Sequence, residues 1–476
     1  MKELAMLGKV RKIHFVGIGG IGMSGLAEVL LNLGFRVSGS DIKPTSVTER
    51  LSQLGARIAH GHAAENVGEA EVVVVSSAVS VMNPEIIEAA HRKIPVIPRA
   101  EMLAELMRLK FCVAVAGSHG KTTVTSMVAV MLSECGLDPT AVVGGRLDAF
   151  GSSARLGKSE LMVVEADESD RSFLYLLPTL AVVTNIDREH LDHYGDMAEI
   201  QESFVSFMNK VPFYGAVIAC MDPPWRTAMQ AVLPRLRRRV VTYGIQAGAD
   251  VTARDLELRS GGSSFDVALE GKTLGSFKVN IPGRHNVQNA LAAIAVGREL
   301  DLEPEQIQAG LESFHGADRR FQVKADVNGI TIVDDYGHHP TEIIATLEAA
   351  RLRGARRIRV VFQPHRYSRT KFLMDEFARS FDGCDRVYVL DIYPASEAPI
   401  PGITSQRLVE RMGELGQTRA RYAASGEAVA NEILADLHTG DLVLTIGAGP
   451  VWKIAKILAN AVNNRIESPG AVKTQS

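Results

Sequence analysis

The sequence predicts an α/β chain built from parallel sheets with helices on both faces, divided into about three domains. Three observations lead there. Short apolar runs alternate with stretches of helical spacing almost from end to end, which implies βαβ units. Strand–glycine-turn–helix units occur at Gly17–Gly25, Gly117–Thr123 and Gly447–Gly449, each presenting backbone N–H groups at a helix N-terminus, where an anion is favoured. The chain has 476 residues, more than one hydrophobic core accommodates.

Taken in order, the candidate buried strands are Ile13–Val16, Val72–Val75, Phe111–Ala116, Leu161–Val164, Leu180–Val183, Arg359–Phe362, Val387–Leu390 and Leu442–Ile446. Helical spacing fills Met23–Leu33, Thr122–Glu134 and Val451–Val462. One boundary is expected near Arg108, before the strand that leads to Gly117. A second is expected near Gly316, before the charged segment Asp318–Arg320. The expected domains are therefore 1–108, 109–316 and 317–476. Residues 245–280 are richer in Gly, Ser and short alternating runs, so a small antiparallel β insertion is expected in the middle domain. No internal repeat is visible, and the tail after Ile466 is expected to fray.

Composition narrows the function classes. Hydrophobic residues make up 46% and charged residues 22%, a balance that can bury several cores. Lys plus Arg is 52 against Asp plus Glu 55, so the net charge of −3 gives no global reason to expect nucleic acid or an anionic membrane. The cysteines at 112, 135, 220 and 384 show no ligand-like spacing, which fits a reducing compartment. Lys9, Arg11 and Lys12 precede an apolar stretch, but Ile13–Val16 runs straight into glycines and is too short for a signal peptide. No apolar run approaches membrane-spanning length. A cytoplasmic chain is expected.

The strongest local signal is Gly117-Ser118-His119-Gly120-Lys121-Thr122-Thr123, between an apolar strand and a helix. Its amides would cradle phosphate oxygens, Lys121 would neutralise their charge, and the Thr122 hydroxyl would hold Mg²⁺. The loop is shorter than the standard form, whose outer glycine would fall at Val115. Glu165 ends the run Leu161–Val164 and is followed by Asp167, Glu168 and Asp170; one or two of these carboxylates suit Mg²⁺, and the rest are solvated. His190, in the segment Thr184–His193, could ligate a second cation or touch a phosphate, or serve as a hydrogen-bonding residue of the scaffold. Gly17-Ile18-Gly19-Gly20-Ile21-Gly22, with Asp41 about 20 residues on, suits a nucleotide whose ribose hydroxyl pairs with Asp41. NAD is the default reading of that motif alone. Pro282–Asn289 and Asp334–Pro340 add further polar clusters. Gln363–Arg369 follows a strand, and its arginines, three residues apart, suit a carboxylate or phosphate, or form a solvated basic loop.

Together, GSHGKTT, EADESD, TNIDREHLDHYG, GRHNVQNALAA and DDYGHHPTE resemble the Mur ligases of peptidoglycan synthesis, in order and over nearly the whole chain. HFVGIGGIGMSGLAE and PHRYSRT look like the branch of that family that adds L-alanine to UDP-N-acetylmuramate. The resemblance implies a Rossmann-like N-terminal domain for the UDP-sugar, a P-loop ATPase-like central domain for ATP and Mg²⁺, and a Rossmann-like C-terminal domain for the amino acid. It moves the N-terminal glycine motif from NAD to UDP, with Gly19, Gly20, Gly22, Asp41 and Ser77 as contacts. It implies that Gly117 to Thr123 bind ATP, that Thr122, Glu165 and His190 bind metal, and that Lys121, Glu165 and His190 are catalytic. His285 and Asn286 would contact the adenine and phosphates, Arg320 and Asp335 would reach the nucleotide, and Tyr336, His365, Arg366 and Arg369 would form the alanine site. Some relatives bridge two metals with a carbamylated lysine; Gly195–Asn209 holds no lysine, so that device is expected to be absent. A monomer or weak homodimer is expected. The rival readings are a tripeptide-adding recycling ligase of the same superfamily, an NAD-dependent dehydrogenase that would leave Gly117–Thr123 unused, and a non-catalytic ATP-binding regulator.

Overall fold

The computed structural model describes residues 7–76, 78–108, 110–147, 152–189, 194–246 and 248–467. Its first sheet comprises β1 (Lys12–Val16), β2 (Arg36–Asp41), β3 (Arg57–His60), β4 (Val72–Val75) and β5 (Val96–Pro98), in the order β3-β2-β1-β4-β5. All four pairings are parallel. Strand order reverses on either side of β1, so the crevice outside its carboxyl end is the ligand position of an open α/β sheet. The glycine turn leaves β1 at that point and opens the helix Ile21–Asn32. Gly39 of β2 lets the turn come close, because a Cβ there would lie 2.6 Å from Ile18 Cδ1 and 2.8 Å from the Phe15 carbonyl.

The second sheet has ten strands: β6 (Phe111–Ala116), β7 (Thr140–Leu147), β8 (Ser152–Arg155), β9 (Leu161–Glu165), β10 (Leu180–Val183), β11 (Ala216–Cys220), β12 (Val240–Gly244), β13 (Val251–Arg259), β14 (Gly262–Leu269) and β15 (Lys272–Val279). Their order is β15-β14-β13-β12-β11-β10-β6-β9-β7-β8. Central β6 pairs in parallel with β9 and β10, and Cys112 to Ala116 are fully buried, which is why it reads as an unbroken apolar run. The helix Lys121–Glu134 is buried all round from Thr122 to Leu132, the pattern of a core helix. Gly310 lets a neighbouring helix approach it, since a Cβ there would meet the Met131 backbone at 2.9 Å. The segment expected as a small β insertion supplies β13 to β15 and continues the large sheet, with β13 parallel to β12.

The third sheet comprises β16 (Gln322–Val327), β17 (Ile330–Asp335), β18 (Arg357–Phe362), β19 (Arg386–Val389), β20 (Ala420–Tyr422) and β21 (Asp441–Ile446), ordered β16-β17-β21-β18-β19-β20. Only β16 runs antiparallel to its neighbour. The carboxyl ends of β17, β18 and β21 therefore point the same way, and the loops after them carry the polar motifs of this region.

The chain packs as two units. One holds Met1–Asp255, Phe265–Lys278 and Val287–Ala317; the other holds Leu256–Ser264, Val279–Asn286 and Asp318–Ser476. Within the first unit, the helix Ile21–Asn32 lies against the β7–β8 hairpin. No helix among the described residues is long and apolar enough to cross a membrane.

Candidate active site

The phosphate loop is shaped by two glycines at positive φ, Gly117 at +129° and Gly120 at +83°. Neither position tolerates a side chain. A Cβ on Gly117 would lie 2.1 Å from Thr184 Oγ1, and one on Gly120 would lie 2.9 Å from Asn289 Oδ1. The residues after β10 support the loop from the side. Thr184 Oγ1 donates to the His119 carbonyl at 2.6 Å, Asn185 Oδ1 accepts the His119 N–H at 2.8 Å, and Ser118 Oγ accepts the Asp187 N–H at 2.9 Å. The His119 ring itself meets Asp187 Oδ2 at 2.8 Å.

Lys121 opens the helix and folds back over the loop, donating to the Gly117 carbonyl at 2.8 Å and to Glu168 Oε1 at 2.9 Å. Burial alone would push its pKa down. The carboxylates of Glu168, Asp167 and Glu165 outweigh that and hold it above the usual ammonium range. Val115 and Glu165 are paired across β6 and β9, so this carboxylate stands beside the loop. Thr122 Oγ1 donates to Glu165 Oε1 at 3.1 Å, and Gly144 N–H donates to Glu165 Oε2 at 2.6 Å. A hydroxyl and a carboxylate converging at a phosphate loop are hard oxygen donors and fit Mg²⁺. The Thr123 side chain is buried in the first helical turn. His190 and Ser77 lie outside the described residues.

At the first sheet, the Ser40 carbonyl accepts the N–H groups of Gly17 at 2.9 Å and Ile18 at 3.0 Å. Asp41 Oδ2 accepts the Gly19 N–H at 2.8 Å, and Gly20 is the N-cap of the following helix. Gly22 faces Arg99, whose Nη1 lies 2.8 Å from where a Cβ would stand. An arginine therefore reaches the same turn.

In the second unit, Asp335 is buried at the end of β17 and staples its loop, accepting the Phe321 and Gly337 N–H groups at 2.7 Å each. Burial raises its pKa, against the pull of Arg320. The guanidinium groups of Arg319 and Arg320 lie 5.0 and 5.2 Å from the Tyr336 ring centre. His338 meets that ring edge-on at 5.4 Å and stands 5.8 Å from His365, which stacks on Tyr393 at 5.6 Å. Arg369 Nη1 donates to His365 Nδ1 at 3.1 Å, which requires a neutral imidazole. Burial and the charges of Arg369 and Arg366 push His365 down to about 3. Arg366 adopts φ +70°, its N–H held by the Tyr393 carbonyl at 2.8 Å, and its guanidinium lies 3.9 Å from Glu397. His285, pushed down to about 4 by burial and Arg320, belongs to the same unit. The Asn286 amide is turned to the Pro282 carbonyl at 2.7 Å; it is Asn289 that lies against the phosphate loop.

The architecture has counterparts among known proteins. Residues 12–111 match the catalytic domain of the Mur ligase family, 115–297 the Mur ligase middle domain, and 319–449 the Mur ligase glutamate ligase domain. A relative from Acidobacterium capsulatum, named UDP-N-acetylmuramate–L-alanine ligase, is 57% identical over 465 residues, covering 97% of this chain and 100% of its own. The chain belongs to the Mur ligase family. The crystal structure of a UDP-N-acetylmuramate–alanine ligase from Thermotoga maritima aligns with a TM-score of 0.81 at 28% identity, covering 95% of this chain and 99% of that one. A murein peptide ligase from Psychrobacter arcticus aligns with a TM-score of 0.69 at 25% identity, covering 97% and 100%.

Several residues of this Mur ligase escaped sequence reasoning. Glu168 was one of four acidic candidates, and only the fold shows it as the partner of Lys121. Tyr393 and Glu397 follow β19, next to the loop after β18, a juxtaposition that requires the strand order. Arg319, His338 and Asn289 stood in quoted motifs, but with no spacing signal to separate them from their neighbours, and Arg99 lay in no motif at all.

Proposed function

We propose that this Mur ligase joins L-alanine to the carboxylate of UDP-N-acetylmuramate, converting ATP to ADP and phosphate, in the synthesis of peptidoglycan precursors. The observation that carries this reading is 57% identity, end to end, to a relative bearing that name. The domains 1–108, 109–316 and 317–476 are assigned in turn to the UDP-sugar, to ATP with Mg²⁺, and to the amino acid. A cytoplasmic monomer or weak homodimer is part of the same proposal.

The mechanism follows from the side chains. The substrate carboxylate attacks the γ-phosphorus of ATP; the bond to the bridging oxygen breaks, and ADP leaves behind an acyl phosphate. Lys121, already charged and held at the loop by Glu168, stabilises the negative charge that spreads over the phosphate oxygens. Thr122, Glu165 and His190 are assigned to hold Mg²⁺, which supplies further neutralisation of that charge. The Gly117–Thr123 amides orient the phosphates, and a site drained of water protects the acyl phosphate from hydrolysis. The neutral amine of L-alanine then attacks the activated carbonyl, and the tetrahedral oxyanion collapses with loss of phosphate and a proton to leave an amide. Arg366 and Arg369 are assigned to the alanine carboxylate, since paired N–H donors match it. Tyr336 and His365 are assigned to the walls of the side-chain pocket. Gly19, Gly20, Gly22 and Asp41 are assigned to the UDP moiety, and His285, Asn286, Arg320 and Asp335 to the ATP nucleotide.

Phosphate release with UDP-N-acetylmuramate, ATP and Mg²⁺, comparing L-alanine, glycine, L-serine and the tripeptide, tests the reading. Release is expected to need all components and to be fastest with L-alanine. Release with the tripeptide but not with L-alanine would assign the chain to the recycling branch.

A further inference from the structure

Beneath the glycine turn of the first sheet lies a buried polar cluster that neither phosphoryl transfer nor amino-acid recognition uses. Its centre is Glu85, in the first turn of the helix Pro84–His91 and fully buried. Glu85 Oε2 accepts from Ser40 Oγ at 2.6 Å and faces His14 Nε2 at 3.2 Å. Its Oε1 accepts from Asn66 Nδ2 at 2.7 Å and from the Ala63 N–H at 3.2 Å. Ser40 Oγ also meets His62 Nδ1 at 2.9 Å, and the other His14 nitrogen meets Ser38 Oγ at 2.9 Å. Burial pushes the carboxyl pKa up, but the bonds from His14, Ser40 and Asn66 outweigh it and hold it at about 2, so the group is ionised.

A buried carboxylate is a costly way to fill a core; apolar residues of similar volume stabilise as well or better. What this one adds is register. It ties together β1 through His14, β2 through Ser40, and the loop after β3 through Ala63 and Asn66. The carboxyl ends of those strands frame the crevice. Ser40 is the junction. Its hydroxyl rests on Glu85, its carbonyl holds the Gly17 and Ile18 N–H groups, and the next residue, Asp41, holds the Gly19 N–H. The Asp41 carbonyl in turn accepts the Gly61 N–H at 2.8 Å, closing the tie to the third loop.

We propose that Glu85 is a positioning residue for the nucleotide-sugar: through Ser40 and the 61–66 loop it fixes the glycine turn and Asp41 in their binding geometry. This rests on the assignment of the first sheet to the UDP moiety. Glu85→Gln keeps the side chain's shape and removes its charge, while Ser40→Ala removes the hydroxyl that joins β2 to Glu85 and His62. Each variant is expected to raise KM for UDP-N-acetylmuramate by roughly tenfold, with KM for ATP and L-alanine and kcat within about twofold of the parent. The double variant should be no worse than Glu85→Gln, because the two act along one path. A residue that only held the fold together would lower Tm without this selective change in KM. An unchanged KM for the UDP-sugar, or a common shift in all three KM values and kcat, would overturn the proposal. If Glu85→Gln fails to fold, Ser40→Ala alone must still show the selective rise. Asp41→Ala, measured in parallel, separates the two levels. If it raises that KM and the Glu85 and Ser40 variants do not, the positioning role fails while the site stands; if it leaves that KM unchanged, the assignment of the sheet fails and the positioning role falls with it.

Discussion

Replacing Lys121 by Met removes an ammonium both from the phosphate loop and from Glu168, and the two consequences can be separated. The Glu168 side chain is only 2% exposed, and its Oε1 accepts from Lys121 Nζ at 2.9 Å. Removing one partner of a buried pair costs roughly 3–5 kcal/mol of stability, because the remaining charge keeps its desolvation penalty and loses that attraction. The transition state loses a preorganised positive group at the phosphates, worth about 4 kcal/mol, or on the order of a thousandfold in rate. Lys121→Met should therefore be both much less stable and nearly inactive. Adding Glu168→Gln removes the remaining buried charge, so Lys121→Met/Glu168→Gln should regain much of the lost Tm while its rate stays down by about a thousandfold. Calorimetry and phosphate release, run on parent, single and double variants, make the comparison. If activity returns together with Tm in the double variant, Lys121 serves the fold and the phosphate-loop assignment is wrong.

Two further outcomes are expected. Arg366→Ala should raise KM for L-alanine by roughly ten- to a hundredfold in initial-rate kinetics and leave KM for ATP and the UDP-sugar nearly unchanged; a rise confined to ATP would move this loop to the nucleotide. His365 is held at about 3 by burial and by Arg369 and Arg366, so between its unfolded value near 6.5 and that figure only the unfolded chain takes up its proton. Its contribution to stability is thus present above pH 6.5 and lost as pH falls, by about 2 kcal/mol at pH 5, and urea unfolding at pH 7 and 5 should show His365→Gln losing less stability on acidification than the parent.

The eight strands read from the sequence all exist, with ends shifted by at most two residues. They were legible because they are buried on both faces and so form continuous apolar runs, as β6 and β10 do. The strands that went unread are mostly edge or mixed ones. β2 (RVSGSD) carries Gly39 for close approach and Ser40 and Asp41 for hydrogen bonding, and β16 and β20 lie at opposite edges of the third sheet. The polar residues of β2 hold the glycine turn, and those of the edge strands β16 and β20 are largely open to solvent; both dilute the apolar pattern that marks a strand. The same reason hid Glu85. A carboxylate at the start of a helix reads as an ordinary helix N-terminus, and only the fold shows that three other segments converge on it.

The shortened phosphate loop shows how such positions depend on one another. In the standard spacing the outer glycine would stand at Val115, but here Val115 is a fully buried residue of β6, paired with Glu165 of β9. The strand therefore runs on to Ala116, and the turn must be completed within Gly117 to Gly120, which is why both of its ends are glycines at positive φ. A turn that short has few internal hydrogen bonds, and the deficit is met by the segment after β10, where Thr184, Asn185 and Asp187 bind the His119 carbonyl, the His119 N–H and Ser118. The longer strand has a second effect: it carries the register of β6 and β9 far enough to set Glu165 beside Thr122. The missing outer glycine, which reads in the sequence as a departure from a motif, is thus the same feature that aligns the hydroxyl and the carboxylate assigned to Mg²⁺.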